Sequence, residues 1–231
     1  MEDLEEKYSF RAPLELGIKP VWNSESKILM VGSITSIDGM KSGYYYSSRY
    51  NSFWKLLDFV VVSKRKNLDF ESLEKLFEED KNQFIFSCLK QRLNENFKNN
   101  YDKDFDLFKK NLKKIQNEFE CELLKSNIAI CDIFKSCYAK KKSSLDSDIV
   151  LNDSKLPYQT YKETLTDIIE KSNVSVVVPN SKFVNSWLEK FEINKNQKVK
   201  IVQTVSPSAA RRLKLSVKFE DWKTKLFDFV R

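Results

Sequence analysis

The sequence predicts an α/β fold: three layers, with helices on both faces of a central four-stranded parallel sheet, plus a helical insertion. Two observations carry this. Four short, almost wholly apolar runs lie near 27–31, 128–133, 174–178 and 199–205 of the 231 residues, each ending in small or polar turn residues. Between them, apolar residues recur at intervals of three and four. Strands buried on both faces read as continuous apolar runs, and parallel strands require crossover helices.

Taken in order, residues 1–26 carry Pro13, Pro20 and Trp22 and read as an irregular lead-in packed onto the first strand. That strand, Lys27 to Val31, stops at Gly32. A small-residue turn follows, then Tyr44-Tyr45-Tyr46, Arg49 and Asn51, with a helix starting near Asn51 and containing Phe53 and Trp54. In open parallel sheets, ligands bind beyond the carboxyl ends of the strands. Aromatic rings, a carboxamide and a guanidinium delivered there suit a flat, polar-edged ligand such as a nucleobase. Residues 63–127 are charged and helical in period (Leu73, Leu76, Phe77; Phe84, Phe86, Leu89; Phe105, Phe108, Leu112, Ile115, Phe119) and read as amphipathic helices inserted before the second strand. With no internal repeat or low-complexity linker, one domain over 1–231 is expected.

The second strand, Ile128 to Ile133, carries Asp132 at its end. Ser136, Cys137, the basic run Lys140 to Lys142 and SSLDSDIVLND then read as loop. A helix at Tyr161 to Lys171 precedes the third strand, Val174 to Val178, which ends in Pro179-Asn180. Ser181 to Phe191 is helical, and the fourth strand, Val199 to Val205, closes on Ser206-Pro207-Ser208 and the basic pair Arg211-Arg212. Phe219 to Val230 forms the last helix. Four turns, Gly32 to Ser36, Asp132 to Cys137, Asn180 to Lys182 and Ser206 to Ser208, should converge on one sheet edge.

Composition narrows the chemistry. Forty Lys plus Arg against 33 Asp plus Glu give a formal charge of +7, which points equally to a polyanionic partner or to the codon bias of an AT-rich genome. His is absent, and Cys88, Cys121, Cys131 and Cys137 form no C-x-x-C pair. Zinc and a four-cysteine iron–sulfur cluster are therefore not expected, nor any other metal or cofactor. The thiols read as reduced and mostly buried, in a soluble cytoplasmic protein. MEDLEEKYSF is no signal peptide, and no apolar run reaches the ~20 residues needed to span a bilayer.

Several blocks together resemble the uracil-DNA glycosylase superfamily, and within it the hypoxanthine-DNA glycosylase-like branch. Val31 to Ser36 is similar to the first motif, G-(I/S)-x-P-(G/S). Tyr45-Tyr46 through Asn51-Ser52-Phe53-Trp54 resembles Y-Y-x-x-P-x-N-x-F-W, with Arg49 and Tyr50 in place of Pro-x. Asp132, Ser136-Cys137 and Ser144 to Ser147 resemble W-D-V-x-x-S-C and G-S-L-D-S. Val176 to Lys182 is similar to the strand ending F-N-G-K, and Thr204 to Ala209 resembles the S-T-S-P-(A/S) second motif. The likeness spans about two thirds of the chain and leaves the helical segment out. Two departures stand out: Ile34 sits where many members carry the water-orienting Asn or Asp, and Ser206 where several carry a His.

The resemblance implies a monofunctional DNA glycosylase of base excision repair. It would hydrolyse the bond to a deaminated or modified base, hypoxanthine or uracil first, flipped out of DNA. No motif specifies a lysine nucleophile, so lyase activity is not expected, and a monomer is. On this resemblance Asn51 would orient water, and capping its helix is the alternative. Asp132 would meet the base edge or water, or cap a helix. Ser33, Ile34, Tyr46 and Asn180 would hold the base, with Tyr46 stacking; Tyr44 and Tyr45 suit rim packing, and Phe53 and Trp54 core. Ser206, Ser208, Arg211 and Arg212 would contact DNA, and Leu213 would fill the gap left by the extruded base. Asp146 and Ser144 would fix their loop. Two further readings follow from the departures: a catalytically silent binder of altered DNA, and a glycosylase for a bulky modified base in phage defence.

Overall fold

The computed structural model describes residues 8–48, 50–140, 148–208 and 213–230. Its elements are β1 (Tyr8–Arg11), β2 (Ile28–Gly32), α1 (Ile37–Ser42), α2 (Phe53–Lys66), α3 (Phe70–Glu79), α4 (Ile85–Asn100), α5 (Phe105–Lys125), β3 (Ile128–Asp132), β4 (Phe134–Lys140), β5 (Gln159–Thr160), α6 (Lys162–Lys171), β6 (Val176–Pro179), α7 (Lys182–Lys190), β7 (Lys200–Ile201) and α8 (Leu215–Leu226).

The central sheet is parallel throughout, in the order β3-β2-β6-β7. Alternation along each strand sorts its side chains onto two faces. Ile28, Met30, Ile128, Ile130, Val176 and Val178 join a core shared with α2–α5 and α8, including Trp54, Phe119 and Phe219. Leu29, Val31, Ala129, Cys131 and Val177 face Leu165, Ile168, Val184 and Trp187 of α6 and α7. The three-layer α/β/α prediction therefore holds. Register places Gly32 beside Asp132, and Val31 beside Pro179.

Several expectations are corrected. The lead-in is not wholly irregular: β1 pairs antiparallel with β4, which pairs in turn with β5, giving a second small sheet. The segment after Asp132 is thus a strand where a turn was expected; Phe134, Cys137 and Ala139 are buried against the α6–α7 core while residues between them are half-exposed. The fourth strand shrinks to two residues. Ile201 pairs with Val177 and Val202 N donates to Val177 O at 2.9 Å, but Gln203 then reaches the Pro179 carbonyl with its side chain, Nε2 at 3.0 Å, and the ladder stops two residues short of its partner's end. The last helix starts at Leu215, four residues earlier than expected. All four cysteines are free, yet only Cys131 and Cys137 are buried. Among the described residues, no helix is long and apolar enough to cross a membrane.

Candidate active site

β2 leads to β3 on one side while β6 leads through α7 to β7 on the other. The order of connection therefore reverses between the parallel neighbours β2 and β6, and their carboxyl ends border the candidate crevice, since ligands of open parallel sheets bind at such a point. Gly32, Asp132 and Asn180 sit at that point. The Asn180 amide donates to Val31 O at 3.0 Å. Its side chain donates from Nδ2 to Tyr46 Oη at 3.1 Å, which leaves Asn180 Oδ1 buried with no hydrogen-bond partner. Asp132 is buried, and its Oδ2 accepts from Thr35 Oγ1 at 3.1 Å. A methyl group on Gly32 would run into Asp132 Oδ1 and lie 2.7 Å from Tyr46 Oη, so this position has to be glycine for the carboxylate and the phenol to approach. Because β4 follows directly, Asp132 caps no helix, and that alternative is removed.

The tyrosine loop is held from behind. Ser36 caps α1, accepting from Gly39 N at 3.2 Å. Gly43 turns left-handed at φ 83°, where a Cβ would strike Leu112, and its carbonyl accepts from Gln116 Nε2 at 2.7 Å. Tyr44 stacks on Phe119 with centroids 4.5 Å apart, and Trp54 Nε1 donates to Tyr45 O at 2.8 Å. Tyr44 and Tyr45 are therefore core rather than rim. Burial holds both phenols well above their ordinary pKa, helped at Tyr45 by the Asp132 charge. Tyr46 itself adopts φ 49°, a left-handed conformation uncommon for a residue with a side chain. Its ring stacks on Phe53 at 4.0 Å and 13°. Phe53 and Trp54 are core, as expected.

Asn51 lies at the amino end of α2. Its Oδ1 accepts from Phe53 N at 2.9 Å, an Asx turn one residue ahead of the N-cap Ser52, so Asn51 steadies the helix entry without being its cap, and its Nδ2 makes no hydrogen bond to the described residues. Next to it, Ser52 N and Oγ both donate to Pro207 O, at 3.1 and 2.7 Å, joining the helix to the Ser-Pro corner. Lys218 supports that corner from α8: its buried Nζ donates to Ser208 O at 2.8 Å, and burial lowers its pKa. Within the corner, Ser208 N donates to Ser206 Oγ at 3.3 Å. Behind Asn51, Lys90 Nζ donates to its carbonyl at 2.7 Å; burial pulls this ammonium down to about 8.

Tyr46, Asn180 and Asp132 thus meet at the carboxyl ends of β2 and β6. Asn51 is joined to the Ser206–Ser208 corner only through its neighbour Ser52, which bonds Pro207, and the Tyr46–Phe53 stack links the start of α2 to the first group. Ser33 is buried, and its carbonyl accepts from Phe134 N at 3.0 Å. Ile34 belongs to the core shared with α6 and α7. Leu213 is 42% exposed. Arg49, Arg211, Arg212, Lys141, Lys142, Ser144 and Asp146 lie outside the described residues. Sequence reasoning passed over Thr35, Ser52, Lys90 and Lys218. The first two stand inside the quoted motif blocks, whereas nothing in a helical lysine's neighbourhood announces such contacts.

No family model and no curated protein matches this sequence. Among solved structures, the solution NMR structure of a protein from Methanosarcina acetivorans, described as a candidate uracil DNA glycosylase, superposes with a TM-score of 0.50 at 17% identity, covering 92% of this chain and 96% of that one. What the two share is the architecture: this chain has a uracil-DNA-glycosylase-like α/β fold.

Proposed function

We propose that this protein is a monofunctional DNA glycosylase that hydrolyses the N-glycosidic bond of a deaminated or modified base, hypoxanthine or uracil first, after the nucleotide has been flipped into the crevice. The observation carrying this reading is the buried, unpartnered Asn180 Oδ1 beside Tyr46 and Asp132 at the switch point. An acceptor left open there is suited to an N–H on a base edge. In the reaction, water adds its hydroxyl to the anomeric carbon, the C–N bond breaks, and the base leaves with the bonding electron pair and is protonated. Asn51 is a poor proton acceptor, so its role is to orient water through Nδ2 while the Phe53 amide holds its Oδ1 fixed. Asp132, fixed by Thr35, meets the base edge or water. Ser206, Ser208, Arg211 and Arg212 contact phosphate, and Leu213 enters the gap.

The experiment is direct. Duplex and single-stranded oligonucleotides carrying uracil, hypoxanthine, xanthine or bulkier bases are incubated with the protein and treated with alkali. Strand breaks that disappear in Asn51→Ala support the reading, and the reacting base names the substrate. The second reading, a silent binder of altered DNA, is favoured by one observation: Asn51 Oδ1 is already occupied by the Phe53 amide while Ile34 is withdrawn into the core. Tight lesion binding without breaks would select it.

A further inference from the structure

We propose that the cavity between the amino end of α2 and α4 is a second DNA subsite, which holds unpaired nucleotides of a single strand flanking the base in the crevice. The proposal rests on the glycosylase reading for its context and on separate residues for its chemistry. The cavity measures about 510 Å³, within the range that takes small ligands, and Asn51 and Ser52 line it. It therefore flanks the Ser-Pro corner across the same turn: Ser52 bonds Pro207 on one side, and Lys90 grips the Asn51 carbonyl on the other.

Its charge and ring content fit a strand rather than a metabolite. Lys90 and Lys98 line it together with Lys55, which pairs with Glu74 at 3.8 Å, and the one acidic lining residue, Glu95, already accepts from Gln91 Nε2 at 2.8 Å. Lys98 is exposed at the rim, where an ammonium can meet a backbone phosphate. Lys90 is further in, and its ammonium, depressed by burial, would regain its ordinary basicity beside a phosphate. Tyr50 presents its ring 70% exposed at the mouth, and the Asn94 carboxamide stands exposed nearby. Base–aromatic stacking requires a face, and duplex bases offer only their edges, so an exposed ring over a concave basic cleft selects unpaired nucleotides.

The test uses fluorescence anisotropy with a fluorescein-labelled, undamaged single strand and the duplex of the same sequence. Tyr50→Ala should weaken single-strand binding about tenfold. Lys98→Ala should lower the slope of log affinity against log salt by about one. Duplex affinity and Tm should stay at the parent values in both. Single-strand affinity unchanged in both variants, or equal losses on single strand and duplex, would overturn the proposal. The strand-break assay separates the two readings. Breaks with no effect of either variant defeat the subsite alone, whereas an effect of both variants without breaks on any lesion keeps the subsite and defeats the glycosylase.

Discussion

Gly32→Ala is the most informative single change, because it adds one methyl group at the point where three site residues meet. The new Cβ would overlap Asp132 Oδ1, sit 3.4 Å from Asp132 Cγ and press on Tyr46 Oη at 2.7 Å. Neither neighbour has slack: Asp132 is tied to Thr35, and Tyr46 is stacked on Phe53 and bonded to Asn180. Overpacking of this kind costs about 1–3 kcal/mol. At about 2–4 °C per kcal/mol for a chain of this length, Tm should fall by roughly 2–12 °C. Lesion binding should fall with it, since the Tyr46–Asn180 bond has to lengthen. Removing the phenol oxygen with Tyr46→Phe relieves part of the clash, so the double variant should lose less stability than the sum of the singles. The assays are thermal melting followed by circular dichroism, and anisotropy on a uracil-containing duplex. A Gly32→Ala protein that melts and binds like the parent would show that this cluster is looser than its distances require.

Three further outcomes are expected. Asn51→Ala should cost about 1 kcal/mol by removing the acceptor for Phe53 N and should abolish strand breaks, while Asn51→Ser should recover the stability without the breaks; recovery of both would take the carboxamide out of the chemistry. Burial pushes Asp58 up to about 7 although the Phe86 and Ser87 amides donate to it, so the folded state keeps a proton that an unfolded aspartate releases near pH 4. Stability from this group should accordingly decline as pH rises from about 4 to 7. Asp58→Asn should flatten that decline in urea titrations at an offset of about 1–3 kcal/mol for one amide left unpaired, and an unchanged pH slope would refute it. Phe119→Leu should cost about 1–2 kcal/mol and weaken lesion binding as well, because Tyr44 loses the ring it stacks on; a stability loss with full DNA affinity would mean the loop holds itself.

The parts of the fold legible in the sequence are those where one local signal dominates. Unbroken apolar runs gave away β2, β3 and β6 because both of their faces are covered. The longer helices followed from three- and four-residue spacing, whereas the six-residue α1 lies inside a stretch that reads as loop. β4 was missed because Phe134 to Lys140 alternates and is interrupted by Ser136 and lysines, and its strand character comes from pairing with β1, over 120 residues away. The fourth run extends to Val205 in the sequence, but pairing ends at Ile201 because Gln203 meets Pro179 through its side chain instead of its backbone. At the candidate site, the motif blocks led to Asp132, Tyr46 and Asn180, which lie together, and to Asn51, which stands apart at the start of α2. Their supports came from elsewhere: Gln116, Phe119, Lys90 and Lys218 reach the site from helices whose spacing announces only amphipathicity.

The Tyr44–Phe119 stack alters how the segment between β2 and β3 should be regarded. Gln116, Leu112 and Phe119 clamp the far side of the loop whose near side forms the crevice wall, so α5 works as a splint for a backbone that would not choose φ 49° at Tyr46 unaided. Trimming residues 70–125 to obtain a smaller protein would therefore remove two things at once, the helices that cover Ile28, Met30, Ile128 and Ile130 of the sheet and the cradle at the strand ends.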